Sequence, residues 1–126
     1  MNIVDSSGWL EYLSAGPNAS AFEKALMNTE ALLVPTLCLY EVSKIVLRER
    51  GEDDALQVVA LMRQARTADL TPEIALLAAR ISLDFKMPMA DSIILATARL
   101  YEATIWTQDE HFKNIKGAKY IPAAKK

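Results

Sequence analysis

The chain has 126 residues, 52% of them hydrophobic, a formal net charge of −2 and one cysteine. That length and composition fit a single domain, residues 1–126, with a real core, and exclude a disordered or disulfide-framed chain. The near-neutral charge carries no argument of its own for a nucleic-acid partner.

Residues 1–4 read as a short apolar strand, and Asp5-Ser6-Ser7-Gly8 as a turn with N-cap chemistry leading into a helix over 9–13. Gly16-Pro17-Asn18 breaks that helix, and a second runs over 20–27 with Phe22, Leu26 and Met27 at helical spacing. Residues 31–34 form a buried strand stopped by Pro35. Thr36 caps a helix over 37–50, which Gly51 ends, and another helix follows over 52–66. A strand is expected near 68–70. Thr71 then caps, and Pro72 starts, a helix over 72–85. The segment 89–101 is a helix apolar nearly all round, hence expected to be buried. A strand over 104–107, a helical turn over 110–113 and a last strand over 119–121 complete the chain.

Short apolar strands alternating with helices give an α/β fold: a short, mostly parallel sheet flanked by helices on both faces. The start of the chain has no basic region and Asp5 interrupts its apolar run, so no signal peptide is expected. The apolar run 93–98 is too short to span a bilayer. The cytoplasm is the default location, with no membrane partner. Cys38, between Leu37 and Leu39, reads as a buried reduced thiol.

Four carboxylates abut stretches that should be buried: Asp5 after Ile3-Val4, Glu41 between Tyr40 and Val42, Asp91 before Ser92-Ile93-Ile94, and Asp109 after Trp106-Thr107-Gln108. Burying a charge is costly unless it is paired, hydrogen-bonded or metal-bound. No matching lysines or arginines share these stretches. Each acid also has a plain structural reading. Asp5 and Asp109 can cap helical turns, Asp91 can sit in the field of a helix N-terminus, and Glu41 can pair with Lys44. In a parallel sheet, ligands bind beyond the carboxyl ends of the strands. Asp5 and Asp109 lie just past such ends, while Glu41 and Asp91 lie in early helical turns, so all four can face one rim. An oxygen-only donor set suits Mg²⁺, with Mn²⁺ possible, rather than zinc. Two such ions can drive hydrolysis of a phosphodiester.

His111, the one histidine, reads either as a surface residue or as a support for a neighbouring group or substrate. Lys44, Arg48 and Arg50 follow Glu41 on one helix, as solvated charge or as phosphate contacts. Trp9, Tyr12, Leu13, Phe22 and Leu26 are either core or the floor of a partner groove.

The whole chain resembles the PIN-domain ribonucleases, and especially the VapC-type toxins of bacterial toxin–antitoxin pairs. The resemblance rests on Ile3-Val4-Asp5-Ser6-Ser7, on Pro35-Thr36 with Glu41, on residues 90–98 from Ala90-Asp91-Ser92 to Ala98, and on Thr107-Gln108-Asp109-Glu110-His111-Phe112. It implies a metal-dependent endoribonuclease with Asp5, Glu41, Asp91 and Asp109 as the catalytic, metal-binding quartet. Ser7 and Thr107 would be the supporting hydroxyls. Many members of the family have an aspartate where this chain has His111. The resemblance also implies an RNA substrate, a homodimer and a cognate antitoxin. We expect that partner to lay a helix or strand over Trp9, Tyr12 and Phe22 and to extend a cation to the acids.

Two other classes compete: a catalytically silent binding module of the same fold, and a receiver-like phospho-acceptor domain. A receiver needs an acidic pair after the first strand, where this chain has Asp5 followed by serines.

Overall fold

A computed structural model of the chain describes residues 1–124. The elements in chain order are β1 (Asn2–Val4), α1 (Ser6–Leu13), α2 (Ala19–Met27), a 3-10 turn (Thr29–Ala31) and β2 (Leu33–Pro35). Next come α3 (Thr36–Arg50), α4 (Glu52–Met62), β3 (Arg66–Ala68), α5 (Pro72–Phe85) and α6 (Met89–Tyr101). The chain then runs through β4 (Thr104–Thr107), a second 3-10 turn (Glu110–Phe112) and β5 (Ala118–Tyr120).

Every strand pair is parallel. β1 pairs with β4 and β4 with β5, while β2 pairs with β3. One parallel bridge, Asn2 to Leu32, joins the two groups into the order β3-β2-β1-β4-β5. Successive side chains on a strand point to opposite faces. Ile3 and Val4 are both fully buried, as are Leu33 and Val34, so the sheet is covered on both sides. The strand order reverses between β1 and β4, the place where an open parallel sheet leaves a crevice at its carboxyl end. β1 there runs into Asp5 and β4 into Gln108 and Asp109.

Several boundaries differ from the sequence reading, each for a local reason. The first helix starts at Ser6, because Asp5 is itself the N-cap and accepts from the Gly8 N–H. Ser6, Ser7 and Gly8 therefore form its first turn rather than a preceding loop. Gly8 fits only without a side chain: a Cβ there would lie 2.5 Å from Val4 Cγ1 and 2.9 Å from the Phe22 ring. Thr36 is the first residue of α3 and Pro35 its cap, so Thr36 does no capping. The helix expected to 66 ends at Met62, and Arg66–Ala68 pair with Leu33–Pro35 instead. α6 is two-faced rather than wholly buried: Ile94, Leu95 and Ala98 are covered, while Met89 is 75% exposed.

Trp9, Phe22 and Leu26 belong to the core. They are closed to any partner, so the expectation of a groove over Trp9, Tyr12 and Phe22 is overturned at Trp9 and Phe22, while Tyr12 is only partly buried. Cys38 is fully buried as a free thiol, pushed up by burial and by the charges of Asp5 and Glu41. Among the described residues, no helix is long and apolar enough to cross a membrane.

Candidate active site

Asp5 is 6% exposed at the end of β1, and three donors hold its carboxylate. Oδ1 accepts from Ser7 Oγ at 2.7 Å and from the Gly8 N–H at 3.1 Å. Oδ2 accepts from Thr107 Oγ1 at 2.7 Å. The two hydroxyls are themselves aimed by the backbone after β4: the Gln108 N–H donates to Ser7 Oγ and the Asp109 N–H to Thr107 Oγ1. With those lone pairs occupied, each hydroxyl proton points at Asp5. Burial pushes the Asp5 carboxyl up, the bonds from Thr107, Ser7 and Gly8 pull it down, and the Asp109 charge pushes it up again. The net direction is upward.

Glu41 enters from α3. Its Oε1 accepts from Ser6 Oγ at 2.5 Å, across 35 residues of sequence. Consecutive serines in the first turn of α1 thus serve two acids, Ser6 on Glu41 and Ser7 on Asp5. The Lys44 ammonium lies 5.8 Å from the Tyr40 ring, and none of the hydrogen bonds or ion pairs among the described residues joins it to Glu41.

Asp91 and Asp109 meet at His111. The imidazole Nδ1 lies 2.8 Å from Asp91 Oδ2 and 3.0 Å from Asp109 Oδ1. Asp109 also caps the turn that carries the histidine, accepting from the His111 N–H at 2.9 Å. Asp91 stands in the first turn of α6, whose cap is Pro88 and which has no side-chain cap bond. Burial, then the neighbouring Asp109 charge, push Asp91 up to about 6 against the pull of His111. Among the described residues, the donor atoms of Asp91, Asp109 and His111 form a group in which all lie within 4.8 Å of one another. Asp5 and Glu41 contribute no donor to that group.

The geometry links the sequence-read residues unequally. Asp5, Ser7, Thr107 and Asp109 form one bonded network, and Asp91 joins it through His111. Glu41 reaches it only through Ser6. The sequence reading passed over Ser6, and it left His111 open between surface and support. The one local hint was spacing: Ser6 adjoins Asp5, and His111 follows Asp109 by two residues.

The PIN domain family model matches residues 3–118. The chain belongs to the PIN domain family. Solved structures of similar fold include a toxin–antitoxin complex from Klebsiella pneumoniae, with a TM-score of 0.80 at 18% identity, covering 96% of this chain and 100% of that one. Another is VapC20 of Mycobacterium tuberculosis, described as a sarcin–ricin loop cleaving toxin, with a TM-score of 0.77 at 15% identity over 97% and 100% of the two chains. A third is DNA-bound VapBC from Salmonella typhimurium, at 0.74 and 15% over 97% and 98%. No curated protein matches the chain by sequence. At these identities the likeness concerns the fold. This PIN domain therefore carries its acids at the carboxyl ends of β1 and β4 and in the early turns of α3 and α6.

Proposed function

We propose that this PIN domain is a metal-dependent endoribonuclease, the toxin of a toxin–antitoxin pair, cutting RNA to 3′-hydroxyl and 5′-phosphate ends. The observation that carries the reading is the pair Asp91 and Asp109. The fold brings two carboxylates together at a half-open rim and leaves Asp91 titrating near 6, an arrangement that a divalent cation would relieve. The donor set fits such an ion, since it is built from carboxylate oxygens with one imidazole nitrogen at the edge. Mg²⁺ or Mn²⁺, when bound, would act as Lewis acid and lower the pKa of a water.

The protein's own groups would do the rest. Asp5, Glu41, Asp91 and Asp109 form the proposed acidic quartet, with Asp91 and Asp109 at the open rim. Ser7 and Thr107 fix the Asp5 carboxylate, and Ser6 fixes Glu41. A water would give up a proton as its oxygen adds to phosphorus and the bond to the 3′ oxygen breaks. That 3′ oxygen would take up a proton and leave as the 3′-hydroxyl, with the phosphate staying on the 5′ side. The known action of the Mycobacterium tuberculosis neighbour on the sarcin–ricin loop makes structured RNA the first substrate to test.

The partner reading moves to another surface. A groove of about 600 Å³ lies between α1, α3 and α4, lined by Leu10, Leu13, Ile45, Val46, Val58 and Leu61. An apolar helix from an antitoxin fits it, in keeping with the complexes among the neighbours. Self-association would use α5 and the start of α6, where Leu76, Leu83 and Met89 are 74%, 82% and 75% exposed. We place the protein in the cytoplasm with its RNA. The silent-module reading keeps one observation in its favour, the histidine already bridging the rim acids.

Brief induction followed by sequencing of cellular RNA 5′ ends tests the proposal. New 5′-phosphate ends, absent with Asp91→Asn and absent in EDTA in vitro, are expected. Cyclic-phosphate products, or cleavage undiminished by EDTA, would overturn it.

A further inference from the structure

The rim histidine is placed as a ligand would be. Metal–donor bonds of about 2.0–2.1 Å at right angles put neighbouring donors roughly 3 Å apart. His111 Nδ1 stands 2.8 Å from Asp91 Oδ2 and 3.0 Å from Asp109 Oδ1. A ring nitrogen has one in-plane direction for a proton or lone pair. The nitrogen stands within 3.0 Å of a carboxylate oxygen of each acid, and the three donor atoms form one group within 4.8 Å of one another. The backbone holds the ring there as well, because the His111 N–H is bonded to the same Asp109 oxygen. The histidine side chain is 55% exposed, which leaves solvent on its outer side to complete a coordination shell.

Resting on the nuclease reading above, we propose that His111 is a nitrogen ligand of the ion held by Asp91 and Asp109, and that it turns the site toward Mn²⁺ and away from Mg²⁺. Mg²⁺ is a hard cation that takes oxygen ligands and keeps its waters. Imidazole nitrogen suits first-row transition ions. An aspartate at position 111 would give an all-oxygen rim, so the residue there sets which ion is favoured. The alternative role is a counter-ion: a protonated ring that neutralises the two acids and swings away when metal enters.

His111 is the only histidine in the chain, so an imidazole signal on bound metal has a single source. The untagged full chain is loaded with Mn²⁺ and examined by pulsed electron paramagnetic resonance for nitrogen-14 modulation. Calorimetry with Mn²⁺ and Mg²⁺ is run on wild type, His111→Asn, His111→Asp and Asp91→Asn. We expect nitrogen modulation in wild type that disappears in His111→Asn. The Mn²⁺-over-Mg²⁺ affinity ratio should fall roughly tenfold or more in His111→Asp, the scale seen when even a supporting partner of a metal ligand is lost. Mn²⁺ that binds wild type without nitrogen modulation, or an unchanged ratio in His111→Asp, overturns the ligand role and leaves the nuclease reading standing. Mn²⁺ uptake equal in wild type and Asp91→Asn overturns the nuclease reading itself.

Discussion

Asp5 rests on three donors supplied by the first turn of α1 and the end of β4, whereas Asp91 and Asp109 rest on one half-exposed histidine. Both places gather negative charge at the same end of the sheet. The Asp5 side is held rigidly by the protein itself: Oδ1 takes two donors and Oδ2 one, its hydroxyls are oriented, and its carboxylate is also the cap of a helix, with a lone pair left on Oδ2. The rim is left incomplete. Its acids raise one another's cost and share a partner that can turn away. On the proposed reading, the rigid Asp5 carboxylate would help set the geometry and the rim acids would gain most from a cation.

The sharpest way to break this contrast is by amide substitution. Asp5→Asn, Glu41→Gln and Asp91→Asn should each remove RNA cleavage, yet they should part company in stability. Asparagine at position 5 can still cap the helix, but its amide hydrogens meet either Ser7 or Thr107, which are already donors there. We expect Asp5→Asn to lose about 1–3 kcal/mol. Asp91→Asn removes repulsion and should hold or gain stability in EDTA. Urea titrations of the variants decide it, and an equal loss at both positions would erase the distinction between the two regions.

Metal should act through the rim. A ligand that binds only the folded state stabilises it by about 2.7 kcal/mol at a hundredfold excess over its dissociation constant. Saturating Mn²⁺ should therefore raise the melting temperature of wild type clearly and that of Asp91→Asn much less. Equal responses would make Asp91 a structural residue of the α6 N-terminus.

Thr107→Val probes the rigid side without touching a charge. Valine has nearly the same shape, and Thr107 is fully buried. The change removes the bond to Asp5 Oδ2 and strands the Asp109 N–H, which should cost about 2 kcal/mol. Ser6→Ala, at a partly exposed hydroxyl on Glu41, should cost about 1 kcal/mol. If the two changes cost the same, the Asp5 network is no more built than the Glu41 contact.

What could be read from the sequence follows the same division. Local signals carry far: Thr71-Pro72 marked the start of α5, and the strand at Thr104–Thr107 and the helix at Met89–Tyr101 match their expected bounds. Asp5 was legible because a cap, a strand end and paired serines lie within four residues. β3 was misplaced because its position is decided by pairing with Leu33–Pro35, more than thirty residues earlier, and not by any turn residue near it. The Ser6–Glu41 bond and the meeting of His111 with Asp91 are long-range in the same way. Trp9 and Phe22 could be core or groove on spacing alone; both are buried, and the close approach of Gly8 to Val4 and Phe22 shows how tightly Phe22 is enclosed.

The smallest expected effect is the most specific to the rim. Asp91 titrates at about 6 in the folded chain against 3.8 for an unperturbed aspartate. Between those values the folded state binds the proton that the unfolded state has released. The stability tied to the protonated form is thus fully present below about 4 and lost as pH rises through about 6. Asp5 is shifted in the same direction, so the wild-type curve alone mixes the two. The difference between wild type and Asp91→Asn isolates the rim. Solvent at this half-open site screens the repulsion, so we expect wild type to lose about 1–2 kcal/mol relative to Asp91→Asn across that window in EDTA. Mn²⁺ at saturation should reverse the trend above pH 6, because metal binds the deprotonated carboxylate. Denaturation midpoints at half-unit steps from pH 4 to 7 supply the test. A difference curve that is flat, or that rises with pH in EDTA, would mean that His111 already neutralises the pair and that the rim carries no stored repulsion for a cation to relieve.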